Sequence, residues 1–300
     1  MLTLVLVVVL VALVFEYING FHDTANSIAT VVATKVLSPM QAVSLAAGMN
    51  LVGALAGTAV AKTIASGLID VGVVDVGAQL ILCALMGGII WNLITWWLGL
   101  PSSSSHALIG GLCGAALAAA FNDFGAIIWS IPAEPVWQSA GVLWKVVVPM
   151  VTSPILGFTA GFLLMGVLFF LISMMVRAGG WLARMARPRW VNGFFGKAQL
   201  ASAGYMGFAH GMNDAQKTMG IIALLLVSAE ANGVLANLPG WLAFVHPSPG
   251  AITDGDIDVW IKVTCALVMA AGTAAGGWRI IKTLGHKLVK LHPIHGFAAE

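Results

Sequence analysis

Charge is what this 300-residue chain has least of. Fourteen Lys and Arg and twelve Asp and Glu make up 9% of its residues, against roughly 25% in an ordinary soluble domain. With 59% hydrophobic residues and a mean hydropathy of +0.96, so few charges cannot cover the core of a water-soluble protein. The shortage excludes a soluble enzyme, a nucleic-acid binder and a disordered chain. Cysteine is scarce as well. Cys83, Cys113 and Cys265 stand singly in apolar runs, leaving no disulfide framework and no metal-ligand spacing. Regular polar–apolar alternation is missing, which excludes an outer-membrane barrel. The run 2–15 has no basic residue before it and no small-residue cleavage site ahead of Glu16, so it reads as mature membrane helix and not as a signal peptide. Against these absences stand 35 glycines, which suit closely packed membrane helices. The expected fold is all-α, a polytopic helical membrane protein.

Charge-free runs mark the expected spans: 2–34 (interrupted near 19–23), 41–66, 77–100, 106–121, 142–176, 200–228 and 259–281, since a helix needs about 20 apolar residues to cross the hydrocarbon. Residues 146–176 carry no charge; this long stretch reads as one crossing, with Pro149 and Pro154 bending or ending its first part. Glycine pairs four apart recur at Gly53/Gly57, Gly110/Gly114, Gly157/Gly161, Gly207/Gly211 and Gly272/Gly276, and each would let two helices approach closely. Segment 177–199 holds Arg177, Arg184, Arg187, Arg189 and Lys197 without an acid, which places it in the cytoplasm. The tail with Arg279, Lys282, Lys287 and Lys290 reads likewise, whereas loops 122–140 and 229–258 lack Lys and Arg and read as external.

Two stretches align without a gap at an offset of 191 (211 − 20): Gly20-Phe-His-Asp-Thr-Ala-Asn-Ser27 and Gly211-Met-Asn-Asp-Ala-Gln-Lys-Thr218. Both interrupt apolar runs, and a carboxylate at membrane depth costs from about 2.5 kcal/mol upward, so Asp23 and Asp214 need a reason to be there. The first copy lies in a run directed inward and the second in a run directed outward, the inverted-repeat arrangement of many secondary transporters. The expected organisation is a first half over 1–176, the basic loop 177–199 and a second half over 200–300. Gly20 and Gly211 are expected to break their helices, so that the following half-helices offer free N–H groups to an anion. Asn26, Ser27, Asn213 and Thr218 would add neutral polar groups. Asp23 and Asp214 would repel that anion unless a cation or proton enters with it, which argues for symport. Capping of the half-helices by each Asp is the simpler alternative.

A third element, Pro101-Ser-Ser-Ser-Ser-His106, sits in the middle of the charge-free stretch 76–122. It reads as the turn of a re-entrant hairpin, 77–121, with Ser102, Ser103, Ser104, Ser105 and His106 facing a polar cavity; a cytoplasmic loop between two full spans is the alternative. His210, opposite Asn19 in the alignment, either lines the site or packs. Glu16, on the helix face of Asp23, either feeds protons to the site or bonds a neighbouring helix. His246, His286, His292 and His295 read as solvated.

These residues resemble the inorganic phosphate transporter (Pit) family, with a signature like Gly-x-Asn-Asp-x-x-Asn-Ser/Ala in each half and a Pro-x-Ser-Ser/Thr-Ser/Thr-His turn. Gly20, Asp23, Asn26 and Ser27 match in the first copy, Gly211, Asn213 and Asp214 in the second, and Pro101 to His106 match the turn. His22 stands where the family usually has Asn, and Gln216 and Lys217 replace Ala and Asn. The resemblance implies a non-enzymatic symporter of inorganic phosphate, multi-pass in the inner (cytoplasmic) membrane, without a resident cofactor or nucleic-acid partner, and with a homodimer among its expected assemblies. Phosphate would bind at Gly20, Asn26, Ser27, Ser102–Ser105, Gly211, Asn213, Lys217 and Thr218. Asp23, Asp214, His22 and His106 would couple H⁺ to it, with Na⁺ or a divalent metal moving as a metal–phosphate complex as alternatives. Lys217 and His22 favour the proton-linked bacterial branch. By family pattern a second Ser/Thr-rich hairpin should follow residue 281, so the sequence reads as partial. Rival readings are a carrier of sulfate or arsenate, and an intramembrane hydrolase using Ser104 or Ser105 with His106.

Overall fold

The computed structural model describes all residues except 58–67, 71, 255 and 287–290. Its principal helices are α1 (Leu2–Ala33), α2 (Pro39–Ala56), α3 (Ala78–Leu98), α4 (Ser104–Ala119), α5 (Val148–Ala178), α6 (Pro188–Ala231), α7 (Val259–Ala275), α8 (Trp278–His286) and α9 (Pro293–Ala299). Among the described residues, β-structure is limited to two isolated bridges. Leu2–Ala33, Pro39–Ala56, Ala78–Leu98 and Leu143–Ala178 are long and apolar enough to cross a membrane. The end of the expected span 41–66 lies outside the described residues.

Local chemistry sets several of these ends. Pro39 opens α2, where Ser38 and Gln41 exchange side-chain and backbone hydrogen bonds as a capping box. Gly99 ends α3 in the left-handed conformation, at φ +67°, which costs a glycine little. The basic segment 177–199, expected as a loop, is largely helical: a short helix over Gly180–Met185 precedes α6. Pro149 falls in the first turn of α5, and the helix continues past Pro154 to Ala178. No residue of α5 is buried.

The expected breaks at the two motifs are absent. α1 runs unbroken through Gly20–Ser27 and α6 through Gly211–Thr218. The glycines serve helix crossings. A Cβ on Gly20 would collide with the Met269 carbonyl of α7, and one on Gly272 with the Tyr17 carbonyl of α1. Likewise a Cβ on Gly211 would strike the Asn50 carbonyl of α2, and one on Gly53 the Phe208 carbonyl of α6. These contacts correspond pair by pair: Tyr17 and Phe208 differ by 191, as the two motifs do, and Gly53 and Gly272 differ by 219, as Asn50 and Met269 do. Helix α1 therefore crosses α7 as α6 crosses α2. Gly110, Gly114 and Gly157, also expected at close approaches, face open space.

Helices α3 and α4 form a hairpin packed on α1. Arg279 of α8 holds its tip, with the guanidinium over the Trp97 and Trp96 rings at 4.4 and 5.1 Å and Nη1 donating to the Trp97 carbonyl at 2.9 Å. Near that tip Thr95 meets His22, and α1 continues from 22 to Ala33, about 16 Å further at 1.5 Å per residue. The hairpin therefore stops well short of the end of α1.

Candidate functional site

Helices α1 and α6 run antiparallel, since Asp23 lies by His210 while Glu16 lies by Thr218. This brings the two motif acids to one place. A cavity of about 350 Å³ opens between them and the hairpin turn, lined by Asp23, Asn26, Pro101, Ser102, Ser103, Ser105, His210 and Asp214. At about 30 Å³ per water, its volume accommodates on the order of ten waters, or a tetrahedral oxyanion still partly hydrated.

A chain of polar contacts rings this cavity. Ser102 donates to Thr95 Oγ1 at 3.1 Å, Thr95 Oγ1 lies 2.9 Å from His22 Nε2, and His22 Nδ1 lies 3.0 Å from Asp23 Oδ1. His210 Nε2 sits between the acids, 3.9 Å from Asp23 Oδ2 and 3.4 Å from Asp214 Oδ2. Lys217 donates to Asp214 Oδ1 at 2.6 Å and to Ser105. Each acid therefore faces a basic side chain of the protein itself.

The orientation of His210 is set from behind. The Thr273 hydroxyl donates to the Gly20 carbonyl at 3.3 Å, so Asn50 turns its amino group to Thr273 at 2.8 Å and its carbonyl to His210 Nδ1 at 3.0 Å. An amide carbonyl only accepts, which assigns the proton to Nδ1 on the strength of the network. The other ring nitrogen, Nε2, is left facing two carboxylates, able either to bear a proton or to ligate a cation. Asp23, His210 and Asp214 each offer one ligand atom, all within 4.8 Å of one another.

The hairpin turn contributes the first turn of α4. Ser103 caps it by accepting from the His106 N–H at 3.3 Å. The early N–H groups of a helix have no intrahelical partner and carry the positive end of its dipole. This helix start is what the geometry offers an anion in place of the expected half-helices.

Several expected residues lie elsewhere. Gly20 and Gly211 are enclosed by neighbouring backbones and have no face toward the cavity. Asn213 is exposed and donates to the Ala209 carbonyl of its own helix at 2.8 Å. Ser27 and Ser104 are buried off the cavity, and Thr218 donates to Glu16 two turns away. His106 lines a second cavity with Trp91, Ala107 and Met150, to which Ser102 and Ser103 also contribute. Ser105 is bonded by Lys217 and the Ser104 hydroxyl has no hydrogen-bond partner, so neither is paired with the His106 ring as nucleophile and base. Asn50, Thr95 and Thr273 belong to neither motif nor turn, and the one mark they leave in the sequence is a polar residue within an otherwise apolar run.

The fold and site define a helical membrane protein whose largely buried acids surround a polar chamber. Residues 19–300 match the phosphate transporter family (PHO4), and the chain belongs to that family. It is 44% identical over 304 residues to the probable low-affinity inorganic phosphate transporter of Mycobacterium tuberculosis, covering all of this chain and 61% of that one. To the Bacillus subtilis protein described in the same words it is 40% identical over 300 residues, 100% of this chain and 77% of the relative. The chain thus spans less than two thirds of the length of its mycobacterial relatives. Among solved structures, one titled "The sodium-dependent phosphate transporter" superposes with a TM-score of 0.73 at 20% identity, covering 99% of this chain and 81% of that one. The likeness extends to the fold. The family is one of transporters, and the hydrolase reading is withdrawn.

Proposed function

We propose that the protein carries inorganic phosphate across the cytoplasmic membrane in symport with H⁺. The observation that carries this reading is the chamber in which Asp23, Asp214 and the serine turn meet. Ser102, Ser103 and Ser105 together with the first N–H groups of α4 supply neutral donors to the phosphate oxygens. Lys217, bonded to both Asp214 and Ser105, adds a positive charge at the rim. The acids, which would repel an anion, face His22, His210 and Lys217, so the chamber is not a bare negative well. A phosphate that retains a proton can also donate to a carboxylate, which sulfate cannot do at neutral pH; this favours phosphate over that rival.

Two features bear on the coupling ion. Lys217 already compensates the charge of Asp214 through Oδ1, which leaves that acid a weaker partner for a sodium ion and supports H⁺. A metal–phosphate complex as cargo is a second reading, supported by Nε2 of His210: with Nδ1 held by Asn50, it is oriented as metal-ligating imidazoles are, toward two carboxylate oxygens.

Uptake of labelled phosphate by proteoliposomes, under imposed H⁺ or Na⁺ gradients and with or without Mg²⁺, tests these statements together. The expected result is uptake driven by an inward H⁺ gradient. Uptake that follows the Na⁺ gradient alone would overturn the proton assignment, and sulfate uptake at equal rates would overturn the substrate.

A further inference from the structure

Glu16 has no task in the chamber just described, yet it is fully buried in the middle of α1. It differs from Asp23 and Asp214 in one respect. No basic side chain lies within ion-pair distance of it among the described residues. The Thr218 hydroxyl donates to Oε2, and Oε1 has no partner.

Register places further polar groups beside it. Phe15 packs on Gly88 and His22 meets Thr95, an offset of 73 in both cases, so Asn19 faces Asn92 between them. The backbone of Leu108 packs on Gly88; one turn back along α4, which runs antiparallel, Ser104 comes opposite Asn92. All are buried, and Asn19 Oδ1, Asn92 Oδ1 and Nδ2, and Ser104 Oγ have no hydrogen-bond partner. The other titratable groups facing Glu16 are Asp214 and His210 on α6 and the Cys265 thiol on α7; α3 and α4 present the neutral Asn92 and Ser104.

We propose that Glu16 carries the coupled proton, in a polar layer separate from the phosphate chamber. This rests on the transport reading above. A buried carboxylate with neither a base nor a full set of donors is costly in its charged form, and a proton on Oε1 removes that charge. Seven residues separate Glu16 from Asp23, about 10 Å along the helix. Neutralising Glu16 at that distance makes the chamber more favourable to an anion, and an anion in the chamber makes Glu16 hold its proton more tightly. The two ligands therefore favour each other without touching.

Reconstituted protein and labelled inorganic phosphate separate the two layers. Phosphate–phosphate exchange without an ion gradient needs only the chamber, whereas accumulation driven by an inward pH gradient needs both. One coupled proton at a difference of one pH unit supports about tenfold accumulation. E16Q is expected to keep exchange and lose accumulation, and E16D, which restores a carboxyl, to recover part of it. Accumulation by E16Q at the wild-type level overturns the assignment. If the wild-type protein exchanges no phosphate, the transport reading fails instead. Should E16Q lose exchange as well, T218V decides, because it keeps the carboxyl and removes a donor that favours its ionised form. Its pH midpoint of accumulation is expected to move upward, and an unchanged midpoint overturns the proposal.

Discussion

Two polar layers, two helical turns apart on α1, differ in how their acids are matched. Around Asp23 and Asp214 every carboxylate meets a basic side chain: His22 at 3.0 Å, His210 at 3.4 Å and Lys217 at 2.6 Å. Around Glu16 the neighbours are hydroxyl and amide groups, several of them unpartnered. The first layer opens to a cavity and the second is sealed. A charge-balanced, wet layer can accept an ion of either sign with little change in its own state. A dry layer with one unmatched acid responds mainly to a proton, because only the proton is small enough to enter without displacing packed side chains. On the proposals above, this difference would give substrate and coupling ion separate places on the same helix.

The largest effect is expected from D23N, which removes the charge that both His22 and His210 face; phosphate uptake and exchange should both fall to background while the protein elutes as a folded particle in detergent. Full-rate uptake by D23N would dissolve the distinction between the layers. K217A leaves Asp214 with His210 as its one remaining base among the described residues and takes a positive charge from beside Ser105. A lost charge-assisted hydrogen bond to the anion costs about 1.5–3 kcal/mol, roughly 10–100-fold in phosphate affinity, measurable by equilibrium binding. N50A frees the His210 ring, and loss of such an outer hydrogen bond typically weakens metal affinity about 10–100-fold. If the cargo is a metal–phosphate complex, the Mg²⁺ concentration giving half-maximal uptake should rise by that factor, and no change would argue for free phosphate. The smallest effects test the paired crossings. G53A and G272A should each destabilise by about 1–3 kcal/mol and to a similar extent in thermal unfolding, while G157A, with open space around it, should change stability little.

Much of the chemistry was legible along the chain. The offset of 191 paired Asp23 with Asp214, and the serine turn marked the tip of the hairpin. Gly20 and Gly211 do not break their helices as expected, whereas the close approaches expected at Gly53, Gly211 and Gly272 are present. Glycine permits both a helix break and a close helix crossing, and what distinguishes them is whether another backbone lies opposite, as Met269 does for Gly20. With the helices continuous, residues one position apart point about 100° apart. His22 therefore reaches α3 while Asp23 faces the chamber, and Asn213 turns outward while Asp214 faces in. Asn50 was invisible as a site residue, because nothing within 41–66 indicates that His210 lies across from it.

By itself the sequence determined the medium and the material. Too few charges for water, runs long enough for a bilayer, and two acid-bearing repeats are properties of composition and order that hold whatever the packing. Tertiary structure alone decided the pairing: which acid received a base, which was left with hydroxyls and amides, and which glycine met a backbone. The reason is distance. Charge compensation and hydrogen bonding act over a few ångströms, and those ångströms are set by helices that meet in space after lying 202 residues apart along the chain, as Glu16 and Thr218 do, or 253, as Gly20 and Thr273 do.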